Sequence, residues 1–501
     1  MAVSTIGHDS EPTAPAAPAD KLEIEVSKGD ASSAIVHGDV EVQAVDGPDK
    51  TYYSRLSVWL MVLFSGLAIG SDGYNAAVIG NVELLLAVLY PEALTDAIYT
   101  RLSNSFLIGM ILGMLSFGII VDQLGRKTGA VATTALLVLG IVLSAAASGT
   151  SPTGMFWMLI VARGIAGVGA GGEYPVSGAG AAEATDESAK YRKHRGFMFA
   201  MLADLSASLG YVWGGLVPLL MLLCVGQDVE KYGIVWRTSF ALGLVPPLVI
   251  FWFRLKMAVS TAYRKSALRK QRTPYLLALK RYYRPLIVFS STIISRVNVG
   301  DSLVKSLGWG TVINVFYIPG PFIGGYLSDK IGRRKTMALG FGLQAILGFV
   351  LGGAIFEVQK IFPLFVVLYG IFLTLGEVGP GSTVVLTASE CFPTSIRGQM
   401  MGFVSAWSKA GAAIGTQVFT AILNAYVTDT SKGNQVAFLV GSAFAVLGAL
   451  VALFVIPDAS RNLDDEDKNW KNYLAENGWK GSWGDEATED PSGVVLDQRA
   501  S

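Results

Sequence analysis

At 501 residues the chain is long enough for several soluble domains, yet 51% of it is hydrophobic and only 16% charged, against about a quarter charged in soluble proteins. Formal net charge is zero, an average that hides strong segregation of basic residues. The two cysteines, Cys224 and Cys391, lie far apart, which argues against a disulfide framework.

Residues 1–54 are rich in Ala, Pro, Ser and Asp and lack a basic start followed by an apolar run. They read as a disordered cytoplasmic tail rather than a signal peptide. Apolar blocks of membrane-spanning length then fall near 57–89, 102–121, 130–148, 156–182, 197–225 and 236–255. These make a first six-helix bundle over 55–255. Glycines crowd some of them, as in Gly167-Val-Gly-Ala-Gly-Gly172. Between membrane helices such small residues allow close backbone approach.

Nine cations without an acid follow between 256 and 284: Lys256, Arg264, Lys265, Arg269, Lys270, Arg272, Lys280, Arg281 and Arg284. Flanked by spans, this loop reads as cytoplasmic by the positive-inside rule, not as a nucleic-acid site. Apolar blocks resume near 307–327, 336–356, 362–388, 399–424 and 436–456, giving a second bundle over 285–456. Residues 457–501 are polar, with the acidic run Asp464–Asp467 and three tryptophans. They read as a second cytoplasmic tail with a short helix near Asp465–Glu476.

An internal repeat ties the halves together. Gly118-Ile-Ile-Val-Asp122-Gln-Leu-Gly125-Arg126-Lys127 recurs as Gly325-Tyr-Leu-Ser-Asp329-Lys-Ile-Gly332-Arg333-Arg334-Lys335. Each copy is a tight turn between two spans, where a carboxylate, a glycine and cations can lock helix ends in one state and release them in another. The plain alternative is that these charges anchor helix ends and set topology. The same comparison exposes a gap: Pro285–Asp329 is shorter than Ser57–Asp122 by roughly 20 residues, the length of one span. Only Pro285–Ser295 is apolar before Arg296, Asn298, Asp301 and Lys305 intervene. The expected count is therefore twelve spans, eleven of them clear and the seventh a stub. Either Pro285–Val304 crosses as a polar, broken helix packed inside the bundle, or part of the seventh helix is absent through loss of coding sequence between Arg284 and Phe289.

Ionisable groups within spans are costly and need a reason. Asp72, Glu173, Asp204 and Glu377 are candidate proton carriers, and Lys409 a candidate anion site. Lys409 lies about 18 Å along its helix from Arg397, too deep to reach the interface easily. Asp72 stands where helix 1 could unwind, as a functional group or a structural cap. Glu173 sits beside Pro175, Glu377 could equally serve helix packing, and Arg163 reads as a brace near a helix end. Three histidines without metal-like spacing and no nucleophile motif give no sign of an enzyme, a cofactor or a metal site.

The repeated Asp-x-x-Gly-Arg turn resembles the major facilitator superfamily over roughly 55–460. That resemblance implies an all-α membrane protein of two six-helix bundles with a midplane site reached alternately from each side. Gly171-Gly-Glu-Tyr-Pro175 is similar to a motif of phosphate:proton symporters and fungal glycerophosphodiester permeases. Ser71-Asp-Gly-Tyr74, Arg254-Leu-Lys-Met257, Tyr263-Arg-Lys265, Asn314-Val-Phe-Tyr-Ile-Pro-Gly320 and Gly376-Glu-Val-Gly-Pro-Gly381 look closest to the glycerophosphoinositol permease type. The resemblance implies proton and substrate roles for Asp72, Glu173 and Tyr174 and phosphate contact for Lys409; Asn314 and Tyr317 join the candidate substrate site. An aromatic residue and an Asp used in the seventh span by phosphate-transporting relatives have no match here. The reading is a monomeric plasma-membrane carrier with both termini cytoplasmic, taking up phosphate or a glycerophosphodiester with protons. Its rivals are a carrier of another small organic anion and a non-transporting sensor or defective splice product.

Overall fold

With no water in a bilayer core to satisfy backbone groups, the apolar stretches can only be helices. The computed structural model describes residues 55–124, 126–186, 193–226, 228–256, 277–278, 280–281, 303–457 and 463–479, nearly all helical and without a strand among them. The helices are α1 (Arg55–Leu89), α2 (Asp96–Leu124), α3 (Arg126–Ala145), α4 (Pro152–Asp186), α5 (Arg195–Val225) and α6 (Tyr232–Leu242, resuming as Val245–Lys256). After the basic loop come α7 (Leu303–Val315), α8 (Pro319–Ile331), α9 (Arg333–Val358), α10 (Phe362–Cys391), α11 (Arg397–Ala425), α12 (Thr430–Phe454) and α13 (Leu463–Glu476). Among the described residues nine helical stretches are long and apolar enough to cross a membrane. The tail 1–54, most of the basic loop and the expected stub up to residue 302 lie outside the described residues, as does the Arg284–Phe289 junction.

The apolar block expected at 307–327 is a bent pair rather than one straight helix. After α7, Phe316, Tyr317 and Ile318 form turn hydrogen bonds to Ile313, Asn314 and Val315. Pro319 then opens α8, where its missing N–H is harmless. Glycine supplies the closest contacts in the first half. Gly167 and Gly171 of α4 lie directly on the backbone of Phe106 and Met110 of α2, and Gly169 lies on Thr133 and Leu137 of α3. α4 is thus wedged between α2 and α3, as its small residues suggested.

Two expectations are corrected. α1 does not unwind at Asp72: it is helical throughout, and Gly70 and Gly73 serve instead as contact points for the α5 backbone at Ser206 and Ala207. Arg163 is not at a helix end. It is buried within α4, donates from Nη2 to the Asn75 carbonyl at 2.7 Å, and lies 4.4 Å from the Phe106 ring centroid.

Two spans carry a π-helical segment, Ala200–Leu205 in α5 and Glu377–Gly381 in α10. The helix expected near Asp465–Glu476 is α13, and it does not hang free. Trp470 and Leu474 are fully buried against Cys391, Phe392 and Ile396, while Asp467 accepts from the Thr394 amide at 2.6 Å and its hydroxyl at 2.8 Å.

Candidate functional site

Glu173 projects from α4 into a fully satisfied network. Arg254, near the end of α6, donates to it through both terminal nitrogens at 2.5 Å. Thr133 donates to the same carboxylate at 2.8 Å, and Ser177 at 3.3 Å. Arg254 also donates to the Thr134 hydroxyl at 2.6 Å and the Ala130 carbonyl at 3.0 Å. Both partners are buried. A forked guanidinium on a carboxylate is the strongest geometry available to such a pair.

Asp72 has the opposite setting. It is 1% exposed, and neither carboxylate oxygen has a hydrogen-bond partner among the described residues. It feels the charges of Glu173, Arg254 and Lys409. Lys409 of α11 stands 5.6 Å from the centroid of the Tyr174 ring. Tyr211 of α5 and Tyr317, in the turn before α8, have ring centroids 5.9 Å apart. Asn314 donates to the Tyr211 carbonyl at 3.2 Å. Lys409 also interacts with Tyr211 and Glu377. Tyr174, Tyr211, Tyr317, Glu377 and Lys409 each keep some accessible surface although they interact with one another from separate helices. They line a space between the two halves of the chain.

Across that space the carboxyl groups of Asp204 of α5 and Glu377 of α10 meet beside Gly381, and the Ser382 hydroxyl lies 3.0 Å from Asp204 and 2.6 Å from the Glu377 carbonyl. The candidates Asp72, Glu173, Tyr174, Asp204, Asn314, Tyr317, Glu377 and Lys409 therefore gather in one region.

The repeated turns lie elsewhere, at one end of the bundle, and each reaches into the opposite half. Asp122, ending α2, accepts from the Gln399 amide in the first turn of α11 at 2.7 Å. Asp329, ending α8, accepts from the Gly196 and Phe197 amides opening α5 at 2.8 and 2.9 Å. Both aspartates thus satisfy free N–H groups at the positive end of a helix in the other half. Gly332 turns the chain between α8 and α9 at φ +90°, a left-handed conformation that suits glycine. Arg333 binds Asp329 at 3.3 Å and Glu390 at 3.1 Å, and Arg195 binds Glu390 at 3.4 Å. Arg334 and Lys127 are half-buried beside these turns; Gly125 and the Arg126 side chain lie outside the described residues. Asp329→Ala is expected to weaken this closed end by about 0.5–2 kcal/mol, the usual worth of a helix cap. Alkylation of single cysteines placed between the halves there should then speed up; an unchanged rate would deny the turn a locking role.

A profile of the sugar (and other) transporter family matches residues 58–278 and 282–463, most of the chain. The chain belongs to that family. It is 37% identical over 451 residues to glycerophosphoinositol permease 1 of Candida albicans, covering 86% of this chain and 84% of the relative. It is 34% identical over 472 residues to glycerophosphoinositol transporter 1 of Saccharomyces cerevisiae, covering 89% and 88%. A solved structure of the major facilitator proton:xylose symporter XylE superposes with a TM-score of 0.70 at 18% identity, over 83% of this chain and all of that one. The chain is therefore a multi-pass membrane transporter with the major facilitator fold, as its repeat implied, and not an enzyme.

Within that fold, sequence reasoning missed Arg254, Tyr211, Arg195 and Glu390 as members of the clusters. Arg254 stands two residues before the basic loop and was legible only as part of a family motif. Glu390 falls just beyond the apolar block that ended at 388.

Proposed function

We propose that this transporter is a plasma-membrane importer that takes up a glycerophosphodiester together with protons. The observation that carries the reading is Lys409. It is a cation in the middle of a span, beside Tyr174 and Tyr211 and facing the buried carboxylates of Asp72 and Glu377. A single phosphodiester charge can pair with the ammonium, while tyrosine hydroxyls and the Asn314 region offer partners for the polyol. The similarity to two glycerophosphoinositol carriers supports a diester over inorganic phosphate as the solute. Asp72, buried and without a hydrogen-bond partner among the described residues, suits a group that binds a proton while enclosed and loses it when water enters. Asp122 and Asp329 would hold the cytoplasmic side shut while the site faces outward.

Labelled glycerophosphoinositol supplied to cells expressing the chain should enter saturably, and faster as external pH falls. Unlabelled glycerophosphodiesters should compete better than inorganic phosphate. A surface-resident protein that moves neither would sink the reading, and stronger competition by inorganic phosphate would reassign the substrate.

A further inference from the structure

Asp204 and Glu377 come from opposite halves of the chain, yet their carboxyl groups stand side by side against Gly381. Two buried carboxylates held that close repel each other, and a proton on one of them turns the repulsion into a hydrogen bond. The surroundings are shaped to hold them together. Each acid stands on a π-helical segment, which turns a side chain away from the regular helical course. The Ser382 hydroxyl sits between them, 2.6 Å from the Glu377 backbone carbonyl and 3.0 Å from an Asp204 carboxylate oxygen. Gly381 leaves room for both: a Cβ there would strike the Glu377 carboxylate and stand 3.1 Å from an Asp204 oxygen. The charged and titratable groups that face the pair are Lys409 from α11, Tyr174 from α4, Tyr211 from α5 and Tyr317 from the turn before α8. From α9 the neighbour is the neutral amide of Gln344, beside Gly376, and from α8 it is the backbone at Gly320 and Gly324.

We propose that Asp204 and Glu377 hold one proton between them, that this proton joins the two halves in the state seen here, and that it is released when they part. The inference deepens the proton-coupled reading above and rests on it for its transport consequence. With one proton the pair carries a single negative charge, which Lys409 balances. When α5 and α10 separate, the O–H···O bond breaks and each carboxyl meets water. The proton passes to water and both groups ionise. Rejoining requires a proton to be taken up again, so each cycle of the halves moves one. An anionic solute drawing on Lys409 removes the compensating charge and favours the protonated pair, linking solute binding to closure.

The test has two arms. In proteoliposomes, Asp204→Asn and Glu377→Gln are expected to lose accumulation driven by a pH gradient to a much greater extent than solute counterflow. Wild-type accumulation with an unchanged pH profile in either variant would overturn the inference. The second arm needs no substrate. Infrared difference spectra of the purified protein in nanodiscs at neutral pH should show a protonated-carboxyl C=O stretch that is absent from the D204N/E377Q double variant. No such band means no shared proton, whatever the solute. The band together with failure to move glycerophosphoinositol supports the pair and overturns only the choice of substrate.

Discussion

Replacing Arg254 with methionine is expected to destabilise the folded protein by about 3–5 kcal/mol, because Glu173 would be left charged and buried without its partner. The pair is buried between α3, α4 and α6, with Asp72 of α1 nearby. Arg254 supplies both short contacts to the carboxylate, and the hydroxyls of Thr133 and Ser177 supply the rest. Hydroxyl donors alone do not neutralise a carboxylate, so the variant must protonate Glu173, admit water or unfold. Removing both charges should behave differently. In R254M/E173L the threonine hydroxyls can fall back on the Ala130 carbonyl, which Thr133 and Thr134 already meet at 3.0 and 2.8 Å. Stability near that of the wild type is then expected, since buried ion pairs often break even against apolar replacements. Denaturant unfolding in detergent, followed by tryptophan fluorescence, measures both. Equal losses in the single and double variants would show that the pair is not the unit argued here. Uptake by the double variant adds a second reading: retained proton-driven transport would assign Glu173 to structure and leave coupling to Asp72 and the Asp204–Glu377 pair.

Lys409→Ala is expected to raise the half-saturation concentration for the solute by about 10- to 100-fold, the worth of a charge-assisted hydrogen bond of about 1.5–3 kcal/mol. Folding should be little affected, because the ammonium lies beside the Tyr174 ring and makes no buried ion pair in the described residues that truncation would break. Lys409→Arg keeps the charge but spreads it over a planar fork in place of a compact ammonium. Partial recovery is the expected outcome, short of wild type. Concentration-dependent uptake by alanine and arginine variants, normalised to surface protein, separates binding from expression. Equal affinity of K409A and wild type would remove the anion site from this residue.

The spans and the repeated turn were legible in the sequence because each rests on a single strong constraint: length in apolar residues for one, a short charged turn for the other. The buried carboxylates were legible as costs, but their partners were not. Arg254 borders a run of cations whose number already explains topology, so nothing in the pattern singles it out. Asp72 was read as a helix break because Gly70 and Gly73 flank it. In a membrane bundle those glycines admit the α5 backbone, and the helix continues. Arg163 looked terminal because the apolar block begins at 156, whereas α4 begins at Pro152 and buries the guanidinium among aromatic rings. The π segments leave no mark in Ala200–Leu205, an unremarkable apolar stretch with one acid. Register shifts of this kind are set by what packs around the helix.

The docking of α13 bears on how far the halves can travel. Leu277 and Ala278 pack into the cluster around Trp470, and Arg281 binds Glu466 at 3.4 Å and lies over the Tyr473 ring. α13 in turn is bonded to the α10–α11 turn. The connection between halves is therefore moored to the second half well before that half begins, with twenty residues between the end of α6 and the mooring. Twenty residues reach about 65 Å at full stretch, ample for a rocking motion.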